Sequence, residues 1–482
     1  MSCERNLNCE LQSLSYKYGC DAERFAGDVG NFDIDCSSEY LIRDNSKCIL
    51  CRRCVSVCKK MQGIGAIGVS NRGFNTHVGC AFDMDINNTP CVGCGQCVIV
   101  CPTGALREKS EMERVQDALA NPDKYVVVGT APAVRAALAE AFDAPVGTNC
   151  QGKTVTALRL LGFDKVFDVN CSADFTIMEE STELIERITN GGKLPMFTSC
   201  CPGWIKYVEM NYPNLIPNLS TCKSPQQMFG ALIKTCFAKK ANIDPKNLFV
   251  VTVMPCTAKK EEKERTFTDG IKDVDAVLTT RELAHLLKEN GILLNDLPDG
   301  EADSPFGEYT GAGMIFGATG GVMEAALRTA AYRLQGGNAS FAKLEFTEVR
   351  GQNGVKEATY QLGDTTINVA VVNGIKNAQA ICDQITNGGS KYHFVEVMTC
   401  PGGCVNGGGQ PIKATFVKHK KDVASLRASV LYSADKVMYN RRSHKNAAVN
   451  EVYAEYFGKP CSDVAHKILH THYAPRAKYI KD

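Results

Sequence analysis

Hydrophobic positions from Tyr125 onward fall into short β-like runs that alternate with helical stretches. Runs of apolar and β-branched residues predict strands at residues 125–129, 165–169, 196–199, 249–254, 368–372 and 394–398. Helical periodicity between them predicts helices at residues 133–142, 176–189 and 281–290. Regular alternation of strands and helices indicates an α/β architecture with mostly parallel sheets.

An amphipathic segment precedes this region. Its apolar positions recur at helical spacing, at Met112, Val115 and Leu119. Ser110 and Glu113 have the spacing of a capping box, and Pro122 marks a stop. We therefore expect a helix capped by Ser110, which links the α/β region to the residues before it.

Length and composition limit the number of domains and the kinds of partner that the protein can have. The chain has 482 residues, enough for several domains with real hydrophobic cores. Lys plus Arg number 54 against 53 for Asp plus Glu, so no net field draws the protein to nucleic acid or to a membrane surface. A local basic patch that docks an acidic partner remains compatible with this balance.

The unusual number is 24 cysteines. The N-terminus lacks a basic region followed by an apolar core, so no signal peptide is expected. No run approaches the roughly 18 apolar residues of a membrane span. In the reducing cytoplasm that these absences predict, clustered thiols bind metal rather than form disulfides.

Two cysteine quartets share the spacing CxxCxxCxxxC: Cys48, Cys51, Cys54 and Cys58, then Cys91, Cys94, Cys97 and Cys101. In two-cluster ferredoxins the fourth cysteine ligates the other cluster. This pattern predicts one 4Fe–4S cluster on Cys48, Cys51, Cys54 and Cys101, and a second on Cys91, Cys94, Cys97 and Cys58. Gly93 and Gly95 would let backbone amides approach the sulfurs. Structural zinc is the alternative, and the full repeat with Pro102 after it disfavours zinc.

Three later segments contain the other clustered cysteines. They are residues 198–204 (TSCCPGW), residues 254–262 (MPCTAKKEE), and residues 396–404 (EVMTCPGGC) running on to 407–411 (GGGQP). In sequence and order they resemble the three signature motifs of the FeFe-hydrogenases. The resemblance covers about residues 37 to 482.

The resemblance implies an α/β catalytic domain with two lobes of mostly parallel sheet flanked by helices, preceded by a small α+β domain like a bacterial ferredoxin. Residues 1–36 would be a remnant of a larger accessory-cluster region, residues 37–109 the two-cluster domain, and residues 110–482 the catalytic domain. Residues from about 425 to 482 resemble a segment that is a separate small subunit in some relatives.

The implied catalytic cofactor is the H-cluster, a 4Fe–4S unit joined to a diiron unit that carries carbon monoxide, cyanide and a bridging dithiolate amine. By position, its ligands would be Cys201, Cys256, Cys400 and Cys404, with Cys404 also bridging to the diiron unit. Lys259 would donate a hydrogen bond to a cyanide. The residues implied to surround the diiron unit are Ala131, Pro132, Gln226, Met254, Phe316, Gly317 and Met398. The glycines at residues 402–403 and 407–409 permit close backbone approach.

Hydrogen chemistry also needs a route for protons. Glu180, Glu183 and Arg187 share one face of a predicted helix, a pattern that in general is a solvated surface. In the family, the residues matching Cys200, Glu180, Ser220, Glu183 and Arg187 form a proton relay to the surface. Carboxylates that serve near neutral pH need raised pKa values, which burial provides.

The N-terminus departs from the larger relatives, which bind a further cluster by one His and three Cys. Cys3 and Cys9 keep the spacing of the last two ligands, but no histidine precedes them. The possibility that Cys20 or Cys36 completes a cluster with them stays open. The other cysteines are expected to be packing residues: Cys80, Cys150, Cys171, Cys222, Cys236, Cys382 and Cys461. We expect His466, His470 and His472 to pack rather than bind metal.

The leading hypothesis is reversible reduction of protons to dihydrogen. Electrons would come from ferredoxin or flavodoxin and pass through the two 4Fe–4S clusters to the H-cluster, whose diiron unit is installed by maturation proteins. The alternatives are a hydrogenase-like iron–sulfur assembly factor and a hydrogen sensor. Both groups of relatives depart from the complete set of pocket and relay residues.

Overall fold

A computed structural model describes residues 3–21, 23–24, 26–27, 30, 32–265, 267–268, 270–337 and 343–480. Two four-stranded sheets form its centre, each covered by helices. The first sheet is wholly parallel and has the order Ala276–Thr279, Leu248–Met254, Tyr125–Thr130, Lys165–Asp168. Its side chains belong to the largest buried cluster, which includes Val127, Phe167 and Val251.

The second sheet has the order Val355–Leu362, Thr365–Asn373, Phe394–Met398, Met196–Phe197. The first pair is an antiparallel hairpin, and the remaining pairs are parallel. Separate apolar clusters cover its two faces, one with Ile367 and Phe394 and the other with Phe197 and Val395. The predicted fold class of two mostly parallel lobes is confirmed.

The N-terminal part is small and loop-rich. Antiparallel pairs join Leu41–Arg43 to Leu106–Glu108 and Gly68–Ser70 to His77–Gly79. A third short pair, Phe267–Thr268 with Ile271–Lys272, belongs to the larger part. The core of the N-terminal part contains Tyr40, Leu41 and Cys54, and five further quartet cysteines pack against it: Cys48, Cys58, Cys91, Cys97 and Cys101.

Helices connect the strands and cover the sheets. The α-helices are Glu10–Lys17, Arg53–Ser56, Met112–Ala120, Gln151–Leu160, Val169–Thr189, Pro202–Asn211, Pro225–Leu232, Ala238–Ala241, Lys259–Glu262, Thr280–Glu289, Gly311–Met314, Gly321–Leu334, Ile375–Thr386, Thr415–Lys420, Val423–Val437, Ala447–Val452 and Asp463–Leu469. Single π-helical turns occur at Val57–Met61, Ile233–Phe237 and Tyr453–Phe457. Within the described ranges, no helix is both long enough and apolar enough to cross a membrane.

The predicted strands are all present, with ends shifted by a few residues, and the predicted helix at 133–142 is wrong in its first half. Only Leu138–Phe142 is helical there, as a 3₁₀-helix. The carbonyl of Ala133 accepts from Gln410 Nε2, and that of Arg135 accepts from the amide of Cys150. These partners replace the i+4 amides that an α-helix would need.

The predicted capping box is also wrong. The linking helix begins at Met112 with Glu111 as its N-cap, and no side chain caps it. The Glu111 side chain does not cap the helix, because its carboxylate accepts a hydrogen bond from the amide of Val277 and pairs with Lys263 at 3.1 Å. Contacts with the larger part of the molecule therefore decide where this helix starts.

Candidate active site

Parallel strands from both sheets end at one cavity. The segments that follow them, residues 131–133, 200–203, 254–256 and 398–400, all contribute to its wall. Ligand sites in α/β proteins form beyond the carboxyl ends of parallel strands, where successive loops diverge. The fold thus brings the three cysteine motifs together although they are far apart in sequence.

Five of the cavity's thiols belong to these motifs, and besides Cys200 they are the four predicted cluster ligands Cys201, Cys256, Cys400 and Cys404. All are free of disulfides. Burial raises the pKa of Cys256 to about 12 and holds that of Cys400 well above its usual range, and the neighbouring thiols add to both shifts. Four sulfur donors in one buried site match an iron–sulfur cluster, whose iron would keep them as thiolates. The donor set therefore fits the 4Fe–4S part of an H-cluster.

The glycines of the third motif permit the close backbone packing predicted for them. A Cβ on Gly403, whose φ is +93°, would lie 2.5 Å from the amide nitrogen of Thr319. A Cβ on Gly407 would lie 2.1 Å from the carbonyl oxygen of Pro255. Larger residues would push these loops apart and displace Cys256 and Cys404.

The remaining predicted pocket residues also line the cavity: Ala131, Pro132, Gln226, Met254, Lys259, Phe316, Gly317 and Met398. Lys259 is the cation among them. Its ammonium donates to Glu262 at 2.7 Å and 2.9 Å, to the Ser224 hydroxyl at 2.9 Å and to the carbonyl of Cys200 at 3.1 Å. The Glu262 carboxylate raises the pKa of Lys259 against the opposing effect of burial. The cavity wall therefore holds a lysine ammonium whose position is fixed, and whose charge is balanced, by the Glu262 carboxylate.

The ferredoxin-like quartets lie in the crossed arrangement. Cys48, Cys51, Cys54 and Cys101 line a common cavity, and Cys58 lies near Cys91, Cys94 and Cys97. The amide of Leu50 donates to Cys48 Sγ at 3.4 Å. Leu50 and Arg52 adopt positive φ angles of 55° and 58°, which non-glycine residues rarely do. The first loop is thus curled so that amides face sulfur.

The second quartet adjoins the central cavity, because Cys94 forms part of that cavity's wall. Gly95 and Gly408 meet at this junction, and a Cβ on Gly408 would lie 2.4 Å from the carbonyl oxygen of Cys94. The Thr257 hydroxyl, in the second motif, donates to the carbonyl of Gly93 at 2.6 Å. The two quartets and the central site therefore form a continuous series from the N-terminal part inward.

The outer half of the predicted relay is connected by hydrogen bonds. The Ser220 hydroxyl donates to Glu183 Oε2 at 2.7 Å, and Arg187 donates to Glu183 Oε1 at 2.6 Å. The side chain of Arg187 is 14% exposed, so this end reaches the surface.

The inner half of the predicted relay, Glu180 and Cys200, lacks the hydrogen bonds that connect the outer half. Glu180 is buried, and neither of its carboxylate oxygens has a hydrogen-bond partner among the described residues. Burial, with the charge of Glu183 next, raises the pKa of Glu180 to about 8, although the nearby Ser199 amide and Ser220 hydroxyl act to lower it. Burial also raises the pKa of the Cys200 thiol, and the negative charge of Glu180 raises it further. The predicted relay thus contains a carboxyl group that can exchange a proton near neutral pH.

Sequence reasoning missed two groups beside the relay. Cys222, predicted as packing, donates its thiol to Glu183 Oε2 at 3.6 Å. His470 bridges Thr221 Oγ1, at 2.8 Å, and Glu179 Oε2, at 3.1 Å. His470 lies 249 positions after Thr221 in the chain, so only the fold could reveal this contact.

The C-terminal histidines do not act as one group. Ligand atoms of Cys461, His466 and His470 lie within 4.8 Å of one another, and His472 is not part of this group. Both ring nitrogens of His470 already face partners in the protein. His470 is thus hydrogen-bonded within the protein, and the expectation that it packs rather than binds metal stays a prediction.

Residues 124–408 match the family model of the iron only hydrogenase large subunit, C-terminal domain. The chain belongs to the iron-only hydrogenase family. Residues 421–476 match the iron hydrogenase small subunit, and residues 47–105 match a 4Fe–4S dicluster domain. The family predicted from the three motifs is therefore confirmed.

Individual relatives extend this result over nearly the whole chain. Iron hydrogenase 1 of Clostridium pasteurianum is 48% identical over 98% of this chain and 82% of its own length. The NADP-reducing hydrogenase subunit HndD of Solidesulfovibrio fructosivorans is 46% identical over 99% of this chain and 82% of its own. A solved structure of the FeFe-hydrogenase HydA1 from Chlamydomonas reinhardtii is 41% identical, with a TM-score of 0.67, and covers 77% of this chain and 100% of that one.

Membership in the family confirms the hydrogenase class and the cofactor types expected from the sequence, 4Fe–4S clusters and an H-cluster. The roles of individual residues, the electron partner and the compartment stay predictions.

Proposed function

We propose that this iron-only hydrogenase reversibly combines two protons and two electrons into dihydrogen at the central cavity. The observation that carries the proposal is the meeting of four cysteines from three distant motifs in one buried cavity, with Cys94 of an accessory quartet in the same wall. This arrangement supports a catalytic site that receives electrons directly from the accessory clusters.

In this proposal Cys48, Cys51, Cys54 and Cys101 bind the outer 4Fe–4S cluster, and Cys58, Cys91, Cys94 and Cys97 bind the inner one. Cys201, Cys256, Cys400 and Cys404 bind the H-cluster, with Cys404 bridging to the diiron unit. When bound, the H-cluster supplies the redox chemistry of hydrogen. Residues 1–36, 37–109 and 110–482 are the three proposed divisions of the chain.

The protein positions this group and excludes water. Lys259 provides a fixed cation where the cyanide ligands of the family's cofactor need a donor. Met254, Met398 and Phe316 supply apolar walls, and Gln226, Ala131, Pro132 and Gly317 complete the enclosure. Such a wall keeps bulk water from competing with positioned groups.

Proton delivery is assigned to Cys200, Glu180, Ser220, Glu183 and Arg187. The Cys200 thiol lines the cavity and exchanges a proton with Glu180. Ser220 passes it to Glu183, whose partner Arg187 leads to the surface. The raised pKa of Glu180, about 8, supports a step that works near neutral pH.

Ferredoxin or flavodoxin in the cytoplasm is the proposed electron partner, and separate maturation proteins install the diiron unit. The complete set of pocket and relay residues supports catalysis over an assembly or sensory role. In an assembly factor, the fixed cation of Lys259 and the carboxyl of Glu180 would serve no proton chemistry.

The test is to mature the protein anaerobically and to assay hydrogen evolution from reduced methyl viologen. Cys404→Ser should lose both activity and the infrared bands of bound carbon monoxide and cyanide, whereas Cys382→Ser, at a buried cysteine outside the site, should retain both. A parent preparation that shows these bands without hydrogen evolution would refute the catalytic proposal.

A further inference from the structure

Among the described residues, two groups of potential metal ligands share one histidine. The ligand atoms of Cys461, His466 and His470 lie within 4.8 Å of one another, and so do those of Glu183, Cys222 and His470. We call the first set the Cys–His–His group. Because Glu183 belongs to the proposed proton relay, the shared His470 places the Cys–His–His group directly beside that relay.

The fold holds the three side chains of the Cys–His–His group close together. His466 and His470 are four positions apart at the end of the helix Asp463–Leu469, and their ring centroids are 4.1 Å apart. Residues at this spacing share one face of a helix. Cys461 precedes the helix with a φ of +55°, and its amide donates to Glu179 Oε2 at 2.7 Å. The thiol is thus fixed beside the two imidazoles.

The Cys–His–His group is open to solvent on one side. His466 is exposed and Cys461 is half-buried, whereas His470 is only 7% exposed. A cation from solvent can therefore meet the exposed imidazole and the thiol first, with His470 as the innermost ligand.

The donor atoms of the Cys–His–His group favour Zn²⁺. Zinc sites use Cys sulfur and His nitrogen, and three protein ligands leave a fourth position for water. Mg²⁺ and Ca²⁺ prefer oxygen ligands and do not suit this set. A single cysteine also cannot supply the four thiolates of a 4Fe–4S cluster. On binding, Zn²⁺ would replace the thiol proton of Cys461, which leaves to solvent.

His470 connects the Cys–His–His group to the outer half of the relay. Its ring nitrogens lie 2.8 Å from Thr221 Oγ1 and 3.1 Å from Glu179 Oε2. The amide of Thr221 donates to both carboxylate oxygens of Glu183, at 3.3 Å and 3.2 Å. Cys222 and His470 also form an antiparallel β-bridge. A ligand that moves His470 therefore acts on the segment that holds Glu183.

We propose that the Cys–His–His group binds Zn²⁺ and that the bound ion slows proton delivery to the active site. The inference rests on the relay assigned under the proposed function. The packing predicted for His470 describes the protein without added metal. Both of its ring nitrogens have partners there, so the bound ion replaces one of them. A divalent cation then lies beside the outer half of the relay, where its charge opposes the passage of protons.

The test uses the mature holoenzyme, prepared free of zinc, with and without added zinc chloride. Hydrogen evolution from reduced methyl viologen is measured in H₂O and in D₂O, and X-ray absorption at the zinc edge identifies the donors of the bound ion. His466→Ala, at an exposed position, and Cys461→Ser each remove one ligand. His472→Ala is the matched control, because His472 lies outside the Cys–His–His group.

In the parent we expect Zn²⁺ to lower kcat at least about tenfold, a part of the roughly 10²- to 10⁴-fold that a positioned proton carrier contributes. The KM for viologen, the iron content and the infrared bands should not change, and EDTA should restore the rate. The ratio of the rates in H₂O and D₂O should increase, because proton delivery becomes rate-limiting. X-ray absorption should show one sulfur at about 2.3 Å from zinc and nitrogen at about 2.0 Å.

The variants should separate this site from the other cysteines of the chain. Without zinc, His466→Ala and Cys461→Ser should evolve hydrogen at the parent rate. Both should need more than about tenfold higher Zn²⁺ for the same inhibition, since even a residue that only orients a ligand has an effect of this size. The His472→Ala variant should match the parent in every measurement.

Equal zinc sensitivity of His466→Ala, Cys461→Ser and the parent would overturn the proposal, as would bound zinc without a sulfur neighbour. Inhibition that accompanies loss of iron would place the effect at the clusters and overturn it as well. Zinc bound through sulfur without slower turnover, or with an unchanged ratio of rates in H₂O and D₂O, would show that the site does not act on proton delivery. A zinc-free parent with no viologen-driven activity would instead contradict the proposed function, and X-ray absorption would still test the site.

Discussion

The Ser220 hydroxyl donates a 2.7 Å hydrogen bond to Oε2 of Glu183. One helical turn before Glu183, on the same helix, Glu180 has no such partner among the described residues for either oxygen. The two carboxylates therefore differ in environment although they share one helix face. Glu183 is held in place by donors, whereas Glu180 is held near neutrality by burial.

Glu180→Gln should lower hydrogen evolution by about 10²- to 10⁴-fold, because an amide cannot exchange a proton with Cys200. The infrared bands of the H-cluster should remain. Glu186→Gln, at an exposed position on the same helix, is the matched control and should keep the parent rate. Parent-like turnover by Glu180→Gln would remove Glu180 from the relay.

Glu180→Gln should also change how stability depends on pH. The pKa of Glu180 is raised to about 8 in the folded protein, so its contribution to stability is full below the unfolded value of 4.5 and is lost as pH rises toward 8. Gln does not ionise. The variant should therefore gain stability over the parent between pH 5 and 8, on the order of 4 kcal/mol at the upper end. Anaerobic thermal unfolding at several pH values measures this, and a constant difference in Tm would contradict it.

Cys200→Ser should reduce hydrogen evolution by about 100-fold or more, because a hydroxyl is a much weaker proton donor than a thiol at the same place. Cys200 is not one of the proposed cluster ligands, so the iron content and infrared bands should equal those of the parent. If this variant evolved hydrogen at the parent rate, protons would reach the cavity by another route.

Lys259→Met should destabilise the protein by about 3–5 kcal/mol, because it leaves the buried Glu262 carboxylate without its cation. A second change, Glu262→Gln, should restore much of this stability. The double variant should nevertheless evolve little hydrogen, since the cavity would lack its cation. Denaturation and viologen assays of the single and double variants separate the two effects. Full activity of the double variant would show that the Lys259 charge serves folding alone.

Gly408→Ala should separate the inner quartet from the central cavity, because its Cβ would lie 2.4 Å from the carbonyl oxygen of Cys94. We expect a loss of about 1–3 kcal/mol and slower reduction of the H-cluster by ferredoxin. Gly68→Ala is the control, since no atom lies within 4 Å of its added Cβ. Parent-like electron transfer in Gly408→Ala would mean that the junction adapts without cost.

Much of the site could be predicted because its chemistry requires fixed residue spacings. Three thiolates on one tight loop need the CxxCxxC pattern, and strands buried on both faces need apolar runs such as residues 250–254. The failures arose where distant contacts override local preference. The carbonyls of Ala133 and Arg135 accept hydrogen bonds from Gln410 and Cys150, so no α-helix begins at residue 133. The Glu111 carboxylate pairs with Lys263, and the linking helix begins after Glu111 without the predicted cap.

The sequence by itself determined the family, the cofactor types and the α/β class, because motif spacing and hydrophobic period are local properties of the chain. Only the tertiary structure decided which residues meet. It placed His470 against Thr221, left the Glu180 carboxylate without a hydrogen bond from any described residue, and brought Lys376 beside the N-terminal part at Gly63. Burial and charge at a site depend on segments hundreds of residues apart, and packing alone sets those distances.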